Sequence, residues 1–219
     1  MNLKITIILI FIGLNINAQT KQETIPKEVD FGIYLKEKFH VLKQDTLIKH
    51  GTYILETERK TISTGEYDNN ERTGKWEFTS YDGKLKWEGD YIDGERNGHW
   101  IYRREKSKST EIFYTTGKID SAFSFYPKGK PRAELKYDHS RKGKFKSYYE
   151  DGQLYKEIEL QDDLYDGLYR RYFDNGQLHC ETIFKEGFCW TSHKAFDYSG
   201  SPVKQGTLKD GTGSFYEYK

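Results

Sequence analysis

The chain has 219 residues, and its 35 basic and 34 acidic side chains give a formal net charge of +1. Only 35% of the residues are hydrophobic although 16% are aromatic, and the mean hydropathy is -0.89. Proteins that bind nucleic acid use a basic surface to displace counterions, so this balance of charges excludes nucleic acid as the expected partner.

Residues 1–18 have the parts of a secretory signal peptide. A short basic head contains Lys4, an apolar stretch covers residues 5–14, and Ala18 is a small residue suited to cleavage before Gln19. Ten apolar residues are too few for a membrane anchor, which needs roughly 18 or more. We therefore expect an exported protein that does not span a membrane and is periplasmic, bound at the outer surface or extracellular.

Residues 19–47 form an N-terminal segment without a repeat. The apolar residues Phe31, Leu35, Phe39 and Leu42 fit the spacing of a short helix, and they also fit irregular strands. Both interpretations stay open for this segment.

Residues 48–219 repeat a pattern with a period of roughly 24 residues, a length typical of proteins that stack copies of one supersecondary unit. Gly129, Gly152, Gly176 and Gly200 recur at almost equal intervals of one such period. Each unit contains two runs with alternating apolar and polar residues, divided by Asp-Gly or Asn-Gly, which is the sequence signal of a β-hairpin. Glycine suits these turns because it adopts positive φ without strain.

Such hairpins predict an all-β fold, an elongated single-layer antiparallel β-meander of roughly twelve to fourteen strands, in which each strand pairs with its sequence neighbours. One layer cannot bury aliphatic residues on both sides, and large aromatic rings cover a face while tolerating partial exposure. The recurring Glu88, Glu134, Glu157 and Glu181 lie out of phase with the apolar positions. We expect them to form cross-strand ion pairs with Lys and Arg.

The pattern aromatic-x-x-Gly-Gln-Leu-x-x-Glu, followed by aromatic-x-x-Gly-x-x-x-Gly-x-aromatic, resembles the MORN repeat variant. Residues 91–100, 149–160 and 173–184 carry the resemblance best, and it extends over residues 48–218. It implies antiparallel β-hairpin arrays that contact proteins or membranes, and it implies no reaction. Proteins with similar repeats include YwqK-type antitoxins, and the leader is similar to those of exported Bacteroidetes proteins.

Motifs for catalysis or cofactor binding are not recognisable in the sequence. It has no nucleophile elbow, no His-Glu-x-x-His, no phosphate-binding glycine loop and no Cys-x-x-Cys, and its six histidines lack metal-ligand spacing. A catalytic pair of acids should be unique, whereas the acids of this chain recur with the repeat. We therefore predict that the protein is not an enzyme and has no catalytic, cofactor-binding or metal-binding residues.

The candidate binding surface is the aromatic side of the predicted sheet. Tyr and Trp dominate interaction hot spots, and an open sheet can bind a partner on a face or along an edge. The alternative is that these rings pack against one another and hold the single layer together. The candidate residues are Trp76, Trp87, Trp100, Tyr102, Tyr169 and Tyr172.

Two cysteines fall on consecutive predicted strands. In an exported protein Cys180 and Cys189 are permitted to form a disulfide. Few cross-strand positions have the separation that a disulfide requires, so the alternative is two small apolar side chains in the sheet.

These features together predict a non-enzymatic exported scaffold that binds another protein or a cell-envelope component. Two alternatives from other classes stay open. One is an immunity or antitoxin-like protein that neutralises an envelope-targeted or secreted toxin, and the other is a glycan-binding module.

Overall fold

The computed structural model describes residues 22–32, 34–105 and 110–214. The predicted signal peptide at residues 1–18 lies outside these ranges. The described residues contain fifteen strands of six to ten residues and no helix. In chain order the strands are β1 (Thr24–Asp30), β2 (Leu35–Leu42), β3 (Lys49–Thr57), β4 (Lys60–Asp68), β5 (Glu71–Thr79), β6 (Leu85–Ile92), β7 (Glu95–Arg104), β8 (Thr110–Thr115), β9 (Lys118–Phe125), β10 (Pro131–Tyr137), β11 (Lys142–Tyr148), β12 (Leu154–Gln161), β13 (Leu164–Tyr172), β14 (Leu178–Lys185) and β15 (Phe188–Ala195).

All fifteen strands belong to one open sheet whose spatial order is the sequence order. Every pair of neighbours is antiparallel, so the predicted all-β single-layer meander is confirmed. The sheet has more strands than the roughly twelve to fourteen expected from hairpin spacing, because two of them precede the repeats. Within the described ranges, no helix could cross a membrane.

The segment before the repeats is part of the same sheet. The sequence left a short helix and irregular strands as the two interpretations of this segment, and the structure instead has two regular strands. β1 pairs with β2 from Thr24 opposite Leu42 to Asp30 opposite Lys36. The pairing of β2 with β3 joins this hairpin to the repeat array. Residues 24–42 therefore extend the meander although their sequence does not follow its period.

Alternation along the strands gives the sheet two chemically different faces. Residues directly opposite each other on paired strands point to the same side, so a row can be followed across the sheet. The face that we call the charged face carries the row Glu88, Ile101, Glu111, Phe123, Glu134, Lys146, Glu157, Arg170, Glu181 and Lys194. The other face, called the aromatic face, carries the row Trp100, Ile112, Ala122, Leu135, Phe145, Ile158, Tyr169 and Thr182.

The hydrophobic core lies on the aromatic face over β3–β8. Its centre is formed by Trp76 and Trp100, both 0% exposed, with the buried rings of Tyr53, Tyr91 and Tyr114 around them. The ring centroids of Tyr91 and Trp100 are 5.1 Å apart in an edge-to-face arrangement. Such pairs add about 0.5–1.5 kcal/mol beyond the area they bury, which is how rings stabilise a sheet that has no second layer.

The expected ion pairs are present on the charged face. Glu88 pairs with Lys75 at 2.7 Å and with Arg103. Arg170 lies between two carboxylates, with Nη1 3.1 Å from Glu157 and Nε 2.7 Å from Glu181. Because each of these glutamates faces a cation on a neighbouring strand, the prediction of cross-strand pairs is confirmed at these positions.

The cysteines do not form a disulfide. Cys180 lies opposite Ala195, and Cys189 lies opposite Phe184, so the two side chains are out of register across β14 and β15. Burial raises the pKa of the Cys189 thiol, which keeps it protonated. In this part of the sheet the cysteines act as small side chains.

Candidate functional site

The six predicted binding residues separate into three groups. Trp76 and Trp100 are fully buried, so their rings pack inside the sheet and offer no surface to a partner. Trp87 and Tyr102 are half-buried on the same face. The Trp87 ring stacks on Phe78 with centroids 5.3 Å apart. Trp76 and Trp100 therefore fit the packing interpretation, whereas Trp87 and Tyr102 make ring contacts and keep part of their surface exposed.

Tyr169 and Tyr172 lie in the C-terminal half but on opposite faces. Tyr169 is half-buried on the aromatic face, where its ring centroid is 5.7 Å from that of Phe184. Burial raises the pKa of Tyr169 to about 12. The Tyr172 hydroxyl donates to Glu157 on the charged face at 3.2 Å. Of the six candidates, Tyr169 alone stands on the aromatic face of the C-terminal half.

Two arginines complete the core over β3–β8, and the candidate residues did not include them. The guanidinium carbon of Arg72 lies 4.7 Å from the ring centroid of Trp76, and that of Arg96 lies 4.6 Å from Trp100. Nη1 of Arg96 also donates to the hydroxyl of Tyr114 at 3.2 Å. Arg72 and Arg96 are one repeat apart in the sequence, a signal that could have identified them. They cover the tryptophans and close this part of the face.

The aromatic face over β11–β15 is more open. Tyr165 is 37% exposed, and its ring meets Phe184 edge to face at 5.4 Å. Phe145 and Tyr169 are half-buried beside it. Each strand contacts its neighbours within the same sheet, and no described element forms a second layer over these rings.

The charged face has an open groove of about 710 Å³ over β10–β13. It is lined by both signs of charge, including Lys136, Lys144, Glu134 and Glu159. Both acids have structural bonds: Glu134 accepts from the Tyr148 hydroxyl at 2.7 Å, and Glu159 accepts from the backbone N–H of Leu168 at 3.0 Å. The hydrogen bond from Tyr148 lowers the pKa of Glu134, so this carboxylate stays ionised and is a poor general acid.

The sheet edge at β1 is poorly suited to adding a partner strand. Pro26 removes a backbone donor, and Lys27 and Glu28 place charges along the strand. These features are typical of edges that resist pairing with another chain.

Across residues 22–32, 34–105 and 110–214, no three His, Cys, Asp or Glu side chains are grouped as metal ligands. The open part of the aromatic face is therefore the candidate binding surface.

Comparison with known proteins identifies the repeats. Residues 141–162 and 165–186 match the family model described as MORN repeat variant. No curated protein matches the chain. Among solved structures, a mutant of S. aureus TarM in complex with Fondaparinux, alpha-GlcNAc-glycerol and UDP is similar at 14% sequence identity and a TM-score of 0.21.

That similarity covers 53% of this chain and 21% of the TarM chain, and at this TM-score it carries no argument about fold or activity. The repeat match covers the strands β11–β14, which include the open part of the aromatic face. MORN repeats are in general non-catalytic repeats that contact proteins or membranes. Residues 141–162 and 165–186 of this chain are thus similar to two MORN repeat variant units.

Proposed function

We propose that this protein is an exported, non-catalytic scaffold that binds another protein through the aromatic face of β11–β15. The observation that carries the proposal is the row of half-buried rings on that face, among them Phe145, Tyr169 and Phe184, with no described layer above them. Partly exposed tyrosines contribute strongly to protein interfaces because one ring supplies both apolar area and a hydroxyl.

The difference between the two halves of the aromatic face supports this choice. Over β3–β8 the rings are covered by Arg72 and Arg96, and Trp76 and Trp100 have no exposed surface. In the C-terminal half Arg141 lies over Tyr137 beside β11, and Lys156 and Lys185 lie over Phe145 and Trp190, but Tyr165 remains 37% exposed. A partner at the C-terminal half would therefore bury the exposed part of Tyr165 together with the half-buried rings beside it.

The charged face also exposes apolar side chains, and they make a demanding control. Phe188 is 75% exposed and lies opposite Lys185, which places it on the charged face next to the same turns as Tyr165. Cations on that face, such as Arg170 and Lys194, already form ion pairs with carboxylates of the sheet. A binding protein would therefore find fewer unpaired charges there. Exposure by itself would favour Phe188, whereas the proposal favours Tyr165.

Site-specific photo-crosslinking in the producing cell tests the proposal. A photoreactive phenylalanine analogue replaces Tyr165 or, as the control on the opposite face, Phe188. We expect position 165 to crosslink one protein reproducibly and position 188 to leave that protein uncrosslinked. The same product from both positions, or from position 188 alone, would contradict the choice of face.

The identity of the captured molecule separates the remaining functions. A secreted or envelope-directed toxin would support the immunity-like alternative. A crosslinked polysaccharide would support the glycan-binding alternative. Capture of a structural envelope protein would support the scaffold as proposed.

A further inference from the structure

A cation begins a short pattern that recurs on the aromatic face. The pattern consists of a cation, any residue, glycine, any residue and an aromatic ring, and it occurs at residues 49–53, 72–76, 96–100 and 141–145. Residues 165–169 follow the same pattern except at the first position, where Tyr165 replaces the cation. This unit therefore has an aromatic ring in the place of a positive charge.

In the first three units the cation lies over the aromatic ring that ends its own pattern. The distance from the charged group to the ring centroid is 5.1 Å for Lys49, 4.7 Å for Arg72 and 4.6 Å for Arg96. Arg72 also lies 5.4 Å from the ring centroid of Tyr91, which is opposite Gly74 on the next strand. Each cation is thus attracted by the electron-rich faces of rings within about 6 Å.

The cation of the fourth unit contacts a different ring. The guanidinium carbon of Arg141 lies 4.0 Å from the ring centroid of Tyr137, and its Nη2 lies 2.9 Å from a carboxylate oxygen of Asp163. Arg141 is therefore already bound to a ring and an acid of its own sheet.

The rings of the fifth unit form an equivalent cluster. Phe184 lies opposite Gly167, as Tyr91 lies opposite the glycine of its unit. The ring centroids of Tyr165 and Tyr169 are 5.4 and 5.7 Å from that of Phe184 and 6.4 Å from each other. Tyr165 is 37% exposed, so the cluster is open to a partner on the side of this ring.

The lysines of the C-terminal half lie over other rings. Nζ of Lys156 is 5.5 Å from the ring centroid of Phe145, and Nζ of Lys185 is 4.9 Å from that of Trp190. In the part of the chain that the structure describes, no lysine stacks on the cluster of Tyr165, Tyr169 and Phe184.

Arg171 is directed away from Tyr165. It pairs with Lys156 six residues further along β13, roughly 15–20 Å from Tyr165, and its Nε donates to Nδ1 of His179 at 3.0 Å. Burial raises the pKa of Tyr169, and the charge of Arg171 opposes this rise. Because Arg171 acts on the Tyr169 end of the cluster, a further cation fits at the Tyr165 end.

Acidic residues outnumber basic ones in the two turns beside Tyr165. Residues 161–166 and 185–188 contain a single lysine and four acids, which are Asp162, Asp163, Asp166 and Glu186. Oδ2 of Asp166 accepts the backbone N–H of Glu186 at 3.0 Å, so the two turns are in contact. Among the described residues, Asp163 alone of the four acids forms an ion pair. The negative charge at these turns favours the approach of a cation to Tyr165.

Resting on the protein-binding function proposed above, we propose that Tyr165, Tyr169 and Phe184 bind the guanidinium group of an arginine side chain in the partner protein. This arginine makes from outside the contact that Arg72 and Arg96 make within the chain. Arginine fits better than lysine, because its planar group stacks on rings and also donates to carboxylates such as those of the neighbouring turns.

Stepwise fluorination of the ring at position 165 tests the proposal. Phenylalanine with no, one, two or three ring fluorines replaces Tyr165, and the dissociation constant of the crosslinked partner is measured for each protein. Fluorine withdraws electrons from the ring face and hardly changes the size of the ring, so it weakens the attraction of a cation and preserves apolar burial. We expect the affinity to fall with each fluorine, by about fivefold or more over the series.

The same series at Phe188, on the charged face, is the matched control and should leave the affinity unchanged. An affinity that stays constant across the series at position 165, or falls equally at both positions, would overturn the arginine contact. In either case the measured binding would leave the protein-binding function intact.

Two variants test the site without the partner. Tyr165→Arg restores the cation of the repeat, and Tyr165→Gln places an uncharged side chain there. We expect both variants to fold and Tyr165→Arg to melt about 2 °C higher than Tyr165→Gln, because the guanidinium group stacks on the rings. Tyr165→Arg should also bind the partner at least about fivefold more weakly than wild type, since the site then holds its own cation. Equal melting temperatures, or wild-type partner affinity in Tyr165→Arg, would overturn the proposal.

Discussion

The indole of Trp100 lies against the backbone of Gly89 on the neighbouring strand, in the space that a side chain at position 89 would fill. The indole N–H donates to the carbonyl of Asp90 at 3.1 Å. One unit earlier, Trp76 covers Gly65 and donates to the carbonyl of Glu66, also at 3.1 Å. An indole ring that packs on the backbone of a glycine, with its only N–H donor in a hydrogen bond, can be fully buried in a sheet with a single layer.

Gly89→Ala should destabilise the protein strongly. A Cβ atom at this position would overlap the Trp100 ring, so the ring or the strand must move. Overpacking of this kind costs about 1–3 kcal/mol in the free energy of unfolding, measured by chemical denaturation. In a Trp100→Ala background the same substitution should cost much less. If Gly89→Ala reduced the free energy of unfolding equally in both backgrounds, the contact with the Trp100 ring would not be the reason that position 89 requires glycine.

Arg96→Gln should reduce stability more than the substitution of an exposed arginine. It removes the contact with the Trp100 ring and the hydrogen bonds to the hydroxyls of Tyr102 and Tyr114, at 2.8 and 3.2 Å. We expect a loss of about 2 kcal/mol in denaturant unfolding. Arg103→Gln, in an exposed ion pair with Glu88, should cost about 1 kcal/mol or less. The reverse order would contradict the role given to Arg96.

Stability should decrease at acidic pH through the carboxylates of the charged face. Hydrogen bonds from Lys75 and then Arg103 lower the pKa of Glu88 to about 2, from an ordinary value of 4.5. A carboxyl whose pKa is lower in the folded state stabilises above its unfolded pKa, and this contribution is lost as the pH falls toward the folded pKa. Melting temperatures between about pH 5 and pH 2 should therefore fall less in Glu88→Gln than in wild type. Parallel curves would contradict the assignment.

The predicted signal peptide can be tested without reference to the fold. Mass spectrometry of the protein recovered from the producing organism should give a mature N-terminus at Gln19, in the periplasmic, surface or extracellular fraction. Recovery of the uncleaved chain from the cytoplasm would remove export from the proposed function.

The meander was predictable because its signals are local. Gly152 and Gly176 mark hairpin turns and have φ of 104° and 81°, the left-handed region that glycine tolerates. The position of Tyr172 was also within reach, since residues 169 and 172 are an odd number of positions apart on one strand and so lie on opposite faces.

Burial was not predictable in the same way. Trp76, Trp87 and Trp100 look equivalent along the chain, but a tryptophan becomes fully buried where a glycine on the next strand receives it, which depends on strand register. Residues 24–42 lack the repeat, so nothing local identified β1 and β2 as its continuation. The pairing of Lys156 with Arg171 likewise appears only once β12 and β13 are in register.

Partner affinity tests the central claim most directly. With the crosslinked protein purified, its dissociation constant is measured for wild type, for Tyr165→Ser and for Phe188→Ser. We predict that Tyr165→Ser weakens binding by about tenfold or more, as expected for a hot-spot ring, and that the more exposed Phe188 can be replaced without effect. Unchanged affinity in Tyr165→Ser, or a loss confined to Phe188→Ser, would contradict the assignment of the aromatic face as the binding surface.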